Sequence, residues 1–153
     1  MKADLEKEIR SILAHYETKQ AALLPVLNLV QSREGWISLQ MEEEIAKILG
    51  IAPMQVREVV SFYTLYKTKP KGKYHIELCR NMSCDLNQGT LILKYLKSRL
   101  KVEEGDVSED GRFSLECVEC LGACELAPVM RLNGKYIGHL TESLIDEIIE
   151  KSK

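Results

Sequence analysis

The sequence predicts an α+β protein, in which a bundle of helices is followed by a mixed domain of short strands and helices. Three observations indicate this architecture. Before residue 67, apolar residues recur only at helical spacing. A basic segment with one proline and one glycine, residues 67–73, then interrupts the pattern and has the composition of a linker. Beyond it, alternating apolar residues typical of strands appear between helical stretches. We therefore predict two domains, an N-terminal helical region at 1–70 and a second domain at 71–153.

Four helices are predicted in the helical region. Ser38 can cap the third helix, which Gly50 ends, and Pro53 occupies a first-turn position of the fourth. The apolar stripes that define the four helices are Leu5, Ile9, Ile12, Leu13 and Tyr16; Leu23, Leu24, Leu27 and Val30; Leu39, Ile45, Ile48 and Leu49; and Val56, Val59, Val60 and Tyr63. Packing these stripes against one another gives a small helical bundle.

The second domain is predicted to alternate strands with helices. A strand at 74–78 precedes a helix, and a strand at 113–118 follows. Residues 129–132 and 135–137 predict a hairpin, because Asn133-Gly134 tolerates the positive φ of a type I′ turn. Thr141 can cap a last helix. The apolar faces of the two helices are predicted to carry Leu91, Ile92, Tyr95, Leu96 and Leu100 in the first and Leu144, Ile145, Ile148 and Ile149 in the second. The order β-α-β-β-α suggests a thioredoxin-like sheet covered by helices.

Charge and hydropathy exclude several classes of function. The 153 residues include 21 Lys and Arg and 23 Asp and Glu, a formal net charge of −2. This balance removes the main electrostatic reason to expect binding to nucleic acid or to an anionic membrane surface. The longest nearly apolar run, residues 21–30, contains Pro25 and Asn28 and is too short to cross a bilayer. The N-terminal residues alternate in charge where a secretory signal needs an apolar stretch, so we expect a cytoplasmic chain in a reducing environment.

The five cysteines all lie in the second domain, at Cys79, Cys84, Cys117, Cys120 and Cys124. An odd, clustered set in a reducing compartment argues against a disulfide framework and for metal or redox chemistry. Two thiolates on one tetrahedral metal ion lie about 3.7 Å apart, and the loops Cys79-x4-Cys84 and Cys120-x3-Cys124 are short enough to close to that distance. Four thiolates suit either a single zinc ion or a 2Fe-2S cluster, and the spacing alone leaves both open.

The segment around the second cysteine pair carries a family resemblance. Its sequence, VECLGACELAP at 118–128, follows Cys79-x4-Cys84 at a separation that resembles the small iron-sulfur subunit of respiratory complex I, the NuoE-type thioredoxin-like 2Fe-2S ferredoxins. The family also occurs in NAD-dependent hydrogenases and formate dehydrogenases. SFYT at 61–64 and DGRF at 110–113 are similar to further landmarks of the family, so the resemblance covers nearly the whole chain. Ala127-Pro128, before a predicted strand, is similar in position to the cis-proline of thioredoxin-like folds.

The resemblance implies a cofactor, a function and partners. By it, Cys79, Cys84, Cys120 and Cys124 ligate one 2Fe-2S cluster, and no catalytic residue is expected. The chain would be an electron-transfer subunit of an NADH-oxidising or NAD-reducing multisubunit oxidoreductase, located in the cytoplasm or held at the membrane face through the larger complex. Its implied partners are an NADH-binding flavoprotein subunit (NuoF-like, with FMN and a 4Fe-4S cluster) and further iron-sulfur subunits.

The glycine pattern agrees with this division of labour. A 2Fe-2S cluster passes one electron at a time and cannot accept a hydride, which requires a flavin to split the electron pair. The nine glycines form no G-x-G-x-x-G or G-x-x-x-x-G-K pattern that would cradle a dinucleotide or a phosphate. We therefore expect FMN and NADH to bind to a partner subunit and not to this chain.

Two other functions remain as alternatives. One is a zinc-stabilised interaction module, and the other is a thiol–disulfide oxidoreductase that uses Cys117 and Cys120 as a C-x-x-C pair. We interpret Cys117 instead as a free thiol on a strand. Among the histidines, His75 shares strand parity with Cys79, but no histidine stands at ligand spacing from a cysteine. Backbone N–H groups of the Gly122 loop are expected to donate to cluster sulfurs.

Overall fold

Seven α-helices, a 3₁₀ turn and four strands make up the described part of the chain, residues 3–152 of a computed structural model. Contacts divide it into two compact units, one ending at Pro70 and the other beginning at Lys71. The observed α+β class and the order of the elements confirm the predicted fold class. No helix of the described residues is long and apolar enough to cross a membrane.

The first unit contains four helices. These are α1 (Ala3–Leu13), α2 (Leu23–Glu34), α3 (Leu39–Leu49) and α4 (Pro53–Phe62). The predicted caps of α3 are confirmed, because the Ser38 hydroxyl accepts the Met41 N–H at 3.2 Å and Gly50 leaves the helix with φ +64. The fully buried residues of this unit include Ile9, Val26, Leu27, Val30, Ile37, Ile45, Leu49 and Val56.

Several residues assigned to apolar stripes are exposed instead. Tyr16 lies beyond the end of α1, and Tyr63 is the residue that caps α4, so neither side chain is on the helix face that packs. Leu39 is the first residue of α3 and is 63% exposed. Leu24 lies one position away from the buried stripe of its helix, α2. Leu91 likewise lies one position away from the buried stripe of the helix at 89–100. The helical spacing of the apolar residues was predicted correctly, but the assignment of these five residues to packed faces was wrong.

The second unit is a four-stranded sheet with helices. Its elements are β1 (Tyr74–Cys79), α5 (Met82–Leu86), α6 (Gly89–Leu100), β2 (Phe113–Val118), the 3₁₀ turn (Cys124–Leu126), β3 (Met130–Leu132), β4 (Lys135–Ile137) and α7 (Glu142–Lys151). The strand order is β2-β1-β3-β4, and only the β1–β2 pair is parallel. Asn133 and Gly134 have φ +49 and +81, which confirms the predicted type I′ hairpin turn.

One face of this sheet is apolar and carries the core. Ile76 and Leu78 of β1 and Leu115 of β2 are 1% exposed, and they belong to one cluster with residues of α6 and α7. Side chains alternate between the two faces of a strand, so His75, Glu77 and Cys79 share the opposite face. That second face is where the polar residues of β1 and β2 lie.

Candidate metal centre

The two cysteine pairs follow neighbouring parallel strands. β1 and β2 run side by side with Cys79 opposite Val118, so both strands end at the same edge of the sheet. Cys84 lies in α5, which follows β1, whereas Cys120 and Cys124 lie in the segment that follows β2. The parallel pairing therefore brings together two loops that are distant in sequence.

Cys79 and Cys84 form the buried half of the site. They are 3% and 2% exposed. Cys79 ends β1, and its N–H donates to the Val129 carbonyl at 3.1 Å. Cys84 is presented by α5, a helix of five residues that Asn81 caps by accepting the Met82 N–H at 2.9 Å. Both sulfurs are thus positioned by regular secondary structure inside the fold.

Cys120 and Cys124 form the exposed half of the site. They flank a tight loop in which Gly122 has φ +69, a conformation that favours glycine. The Gly122 N–H donates to Cys120 Sγ at 3.3 Å. The loop thus provides a backbone donor to a candidate ligand sulfur, while donation to the sulfurs of a cluster stays a prediction.

All four cysteines line one cleft. The other residues of its wall are uncharged: Asn81, Ser83, Leu121, Ala123 and Val129. Burial raises the pKa of the Cys84 thiol, a hydrogen bond with the Val129 backbone lowers it, and Cys79 and the charge of Cys124 raise it. Four sulfur donors around one cleft fit a thiophilic centre, either a 2Fe-2S cluster or one zinc ion.

Two glycines let neighbouring segments approach the cysteines closely. A Cβ on Gly89, the first residue of α6, would lie 2.7 Å from the carbonyl oxygen of Cys84. A Cβ on Gly138 would lie 2.7 Å from the carbonyl oxygen of Leu126, in the turn that Cys124 begins. Side chains at either position would displace a cysteine-bearing segment, so both glycines support the geometry of the site.

The exposed loop has further ties to the sheet. The Tyr136 hydroxyl donates to the Leu121 carbonyl at 3.0 Å and links the loop to β4. The His139 N–H donates to the Leu126 carbonyl at 2.8 Å. The Ala127–Pro128 peptide is cis, as the likeness of its position to that of the cis-proline in thioredoxin-like folds implied.

Cys117 stands apart from the cleft, in β2. Burial, and after it the Glu104 carboxylate, raises the pKa of its thiol to about 11. At neutral pH it is therefore protonated, whereas a thiol–disulfide nucleophile needs a thiolate. The structure favours the interpretation of Cys117 as a free thiol over a redox pair with Cys120.

Comparison with known proteins identifies the family. Residues 9–153 match the thioredoxin-like 2Fe-2S ferredoxin family. The chain belongs to this family. This match agrees with the resemblance drawn from the motif at 118–128.

Relatives within the family are components of oxidoreductases. The chain is 38% identical over 146 residues to a subunit of the NADH-quinone oxidoreductase of Rhizobium meliloti, covering 95% of this chain and 87% of the relative. It is 40% identical over 134 residues to NADH-quinone oxidoreductase subunit 2 of Thermus thermophilus, covering 87% and 74%. It is 38% identical to the mitochondrial NADH dehydrogenase [ubiquinone] flavoprotein 2 of Dictyostelium discoideum, covering 95% and 60%.

A solved structure has the same fold. It is an NAD+-reducing [NiFe]-hydrogenase in the H2-reduced state, with a TM-score of 0.72 at 22% sequence identity. The match covers 85% of this chain and 22% of the hydrogenase chain, so this ferredoxin spans about a fifth of that protein. At this identity the likeness establishes the fold.

Sequence reasoning missed parts of this site. The short helix α5 was not predicted, although Asn81 before Met-Ser-Cys-Asp is a helix-start signal that could have indicated it. No local sequence pattern indicates the supporting roles of Gly89, Gly138 and Tyr136. Each depends on a contact with a segment that is distant in sequence or in another element.

Proposed function

We propose that Cys79, Cys84, Cys120 and Cys124 hold one 2Fe-2S cluster. The observation that carries this proposal is the convergence of both cysteine pairs on one uncharged cleft at the shared edge of β1 and β2. Membership in the ferredoxin family favours the cluster over zinc. Each pair would bind one iron: Cys79 and Cys84 would bind the inner iron, and Cys120 and Cys124 would bind the outer iron.

When bound, such a cluster accepts and releases a single electron. The protein's own residues set the conditions for that exchange. The Gly122 N–H that donates to Cys120 Sγ favours extra negative charge on this sulfur, and the buried position of Cys79 and Cys84 keeps water from the inner side. The exposed Cys120 and Cys124 leave the outer side open to an electron-transfer partner.

We further propose that this chain is the electron-transfer subunit of a multisubunit oxidoreductase that oxidises NADH or reduces NAD+. Its relatives are named as subunits of NADH-quinone oxidoreductases, which supports this assignment. The sequence has no glycine pattern for a dinucleotide. FMN and the NADH site are therefore assigned to a flavoprotein partner, which is NuoF-like and carries a 4Fe-4S cluster.

The test is to purify the tagged chain anaerobically with its associated subunits and to record visible and EPR spectra before and after NADH. NADH should reduce the cluster in the complex, and the isolated chain should respond to dithionite but not to NADH. Reduction of the isolated chain by NADH would contradict the assignment of flavin and nicotinamide to a partner. A colourless chain with one zinc ion would instead support the interaction module.

A further inference from the structure

The polar face of the sheet contains a second group of metal-binding side chains. One ligand atom from each of His75, Glu77 and Glu116 lies within 4.8 Å of the other two. His75 and Glu77 are on β1, and Glu116 is directly opposite Glu77 on β2. His75 is 7% exposed and Glu77 9%, so this group is largely buried.

The ring of His75 is oriented by one partner and leaves its other nitrogen facing the two carboxylates. Nδ1 is 2.8 Å from the Ser114 hydroxyl, which also accepts the Gly72 N–H at 3.1 Å. Nε2 is buried and, within residues 3–152, makes no hydrogen bond. It lies 3.3 Å from Glu116 Oε2 and 3.9 Å from Glu77 Oε1.

The distance between His75 Nε2 and Glu116 Oε2 suits two ligands of one cation. In a zinc tetrahedron with bonds of about 2.0 Å, neighbouring ligand atoms are about 3.3 Å apart. In such a site the lone pair of the ring nitrogen points at the metal ion, and the carboxylate oxygens lie to the side of that line. Nitrogen and oxygen are then close to each other without forming a linear hydrogen bond. That is the relation seen between His75 Nε2 and Glu116 Oε2.

The surrounding residues complete the arrangement. Ser114 orients His75 from the far side of the ring, and Arg131 holds the second oxygen of Glu77 at 2.9 Å. Metal ligands in proteins are commonly held by such outer hydrogen bonds. Glu116, whose side chain is 31% exposed, gives the ion a route from solvent.

We propose that His75, Glu77 and Glu116 bind a divalent transition-metal ion that prefers nitrogen and oxygen ligands, with water completing its coordination. The site is separate from the cysteine cleft. It joins β1 to β2 on the face opposite the apolar core, so metal binding stabilises the sheet that carries the cysteines.

The test uses Zn²⁺ as the probe and the full chain with its cluster loaded. Zn²⁺ binding is measured by equilibrium dialysis, while the visible spectrum shows that the cluster stays intact. Glu116→Gln is the main variant, since this partly exposed side chain can change without harm to folding. Glu119→Gln is the matched control, because Glu119 is an exposed carboxylate that pairs with Arg80 at 2.8 Å.

The native chain and the Glu119→Gln control should bind one Zn²⁺ outside the cysteines, and Glu116→Gln should weaken this binding at least about tenfold. Ser114→Ala should weaken it about tenfold through the orientation of His75. If zinc occupied the cysteines instead of a cluster, the native chain would bind two ions and Glu116→Gln would lose one. Equal affinity of Glu116→Gln and the native chain, or no binding outside the cysteines, would overturn the proposal.

Discussion

The two cysteine pairs differ in how the fold holds them. Cys79 and Cys84 are 3% and 2% exposed and sit on a strand and a helix, in a small apolar cluster with Ala123 and Val129. Cys120 and Cys124 are exposed and sit on a loop and a 3₁₀ turn. The inner pair is therefore fixed by folding itself, whereas the outer pair is held by a few hydrogen bonds of its loop.

This difference gives the two halves different tasks. In the proposed cluster, the buried pair would exclude water and fix the position of the centre, and the exposed pair would admit iron and sulfide during assembly and electrons during turnover. The comparison predicts that substitutions in the inner pair abolish the centre and that those in the outer pair weaken it. The following experiments challenge that comparison, starting with the largest effect.

Cys84→Ser should eliminate the cluster. The substitution removes a soft ligand from a buried position, where the neighbouring segments cannot rearrange to supply another donor. Iron per chain after anaerobic purification should fall to less than about a tenth of the native value. Cys117→Ser is the control and should keep the native iron content and visible spectrum. A Cys84→Ser chain with a full cluster would remove Cys84 from the ligand set.

Cys120→Ser should weaken the cluster severely without a comparable loss of fold. The loop is exposed, so water or the serine hydroxyl can approach an iron there, but an oxygen donor is a poorer partner than a thiolate. We expect less than about half of the native iron and at least tenfold faster loss to a chelator. The native visible spectrum in this variant would contradict the role of Cys120.

Gly89→Ala should disturb the inner pair through the backbone. Its Cβ would press on the Cys84 carbonyl oxygen from 2.7 Å, and α5 would have to shift. Gly72→Ala is the matched control, because its Cβ would also clash with backbone, 2.5 Å from the carbonyl carbon of Phe113, but at the opposite end of β2. Both should lower the melting temperature, and only Gly89→Ala should speed cluster loss, by about tenfold. Equal rates in the two variants would mean that the Gly89 contact does not position Cys84.

The thiol of Cys117 extends the comparison of buried and exposed cysteines, because it is partly buried but lies outside the cleft. With its pKa raised to about 11, the fraction of Cys117 that is thiolate at pH 8 is about a hundredfold below that of an ordinary cysteine. A more basic thiolate is also a better nucleophile, which raises the reaction rate about tenfold and offsets part of that loss. Alkylation of Cys117 in the cluster-loaded chain should be about tenfold slower than that of free cysteine. The rate should rise with pH up to about 11, and mass spectrometry follows it. A plateau near pH 7 would contradict the raised pKa.

The sequence was sufficient to predict the positions of strands and helix caps. It was not sufficient to predict that one cysteine pair is buried and the other exposed. The bounds of β2, the Asn133-Gly134 turn and the caps at Ser38 and Thr141 were predicted, because they depend on local backbone preferences. The candidate ligands were predicted from spacing and a family motif, and their roles stay a prediction.

Burial could not be predicted in the same way. It depends on which elements pack over a residue. Leu39 and Leu91 are of a residue type expected on a packed helix face and are still exposed, because Leu39 begins α3 and Leu91 lies one position off the buried stripe of α6. Cys84 is buried in a cluster with Cys79, Ala123 and Val129, which come from other segments, and such packing leaves no periodic signal in the sequence.

The most direct measurement is the content of iron and acid-labile sulfide in anaerobically prepared native chain. Two irons and two sulfides per chain, lost in Cys84→Ser and kept in Cys117→Ser, are expected if the four cysteines hold a 2Fe-2S cluster. One zinc ion with no labile sulfide in the native chain would contradict that assignment.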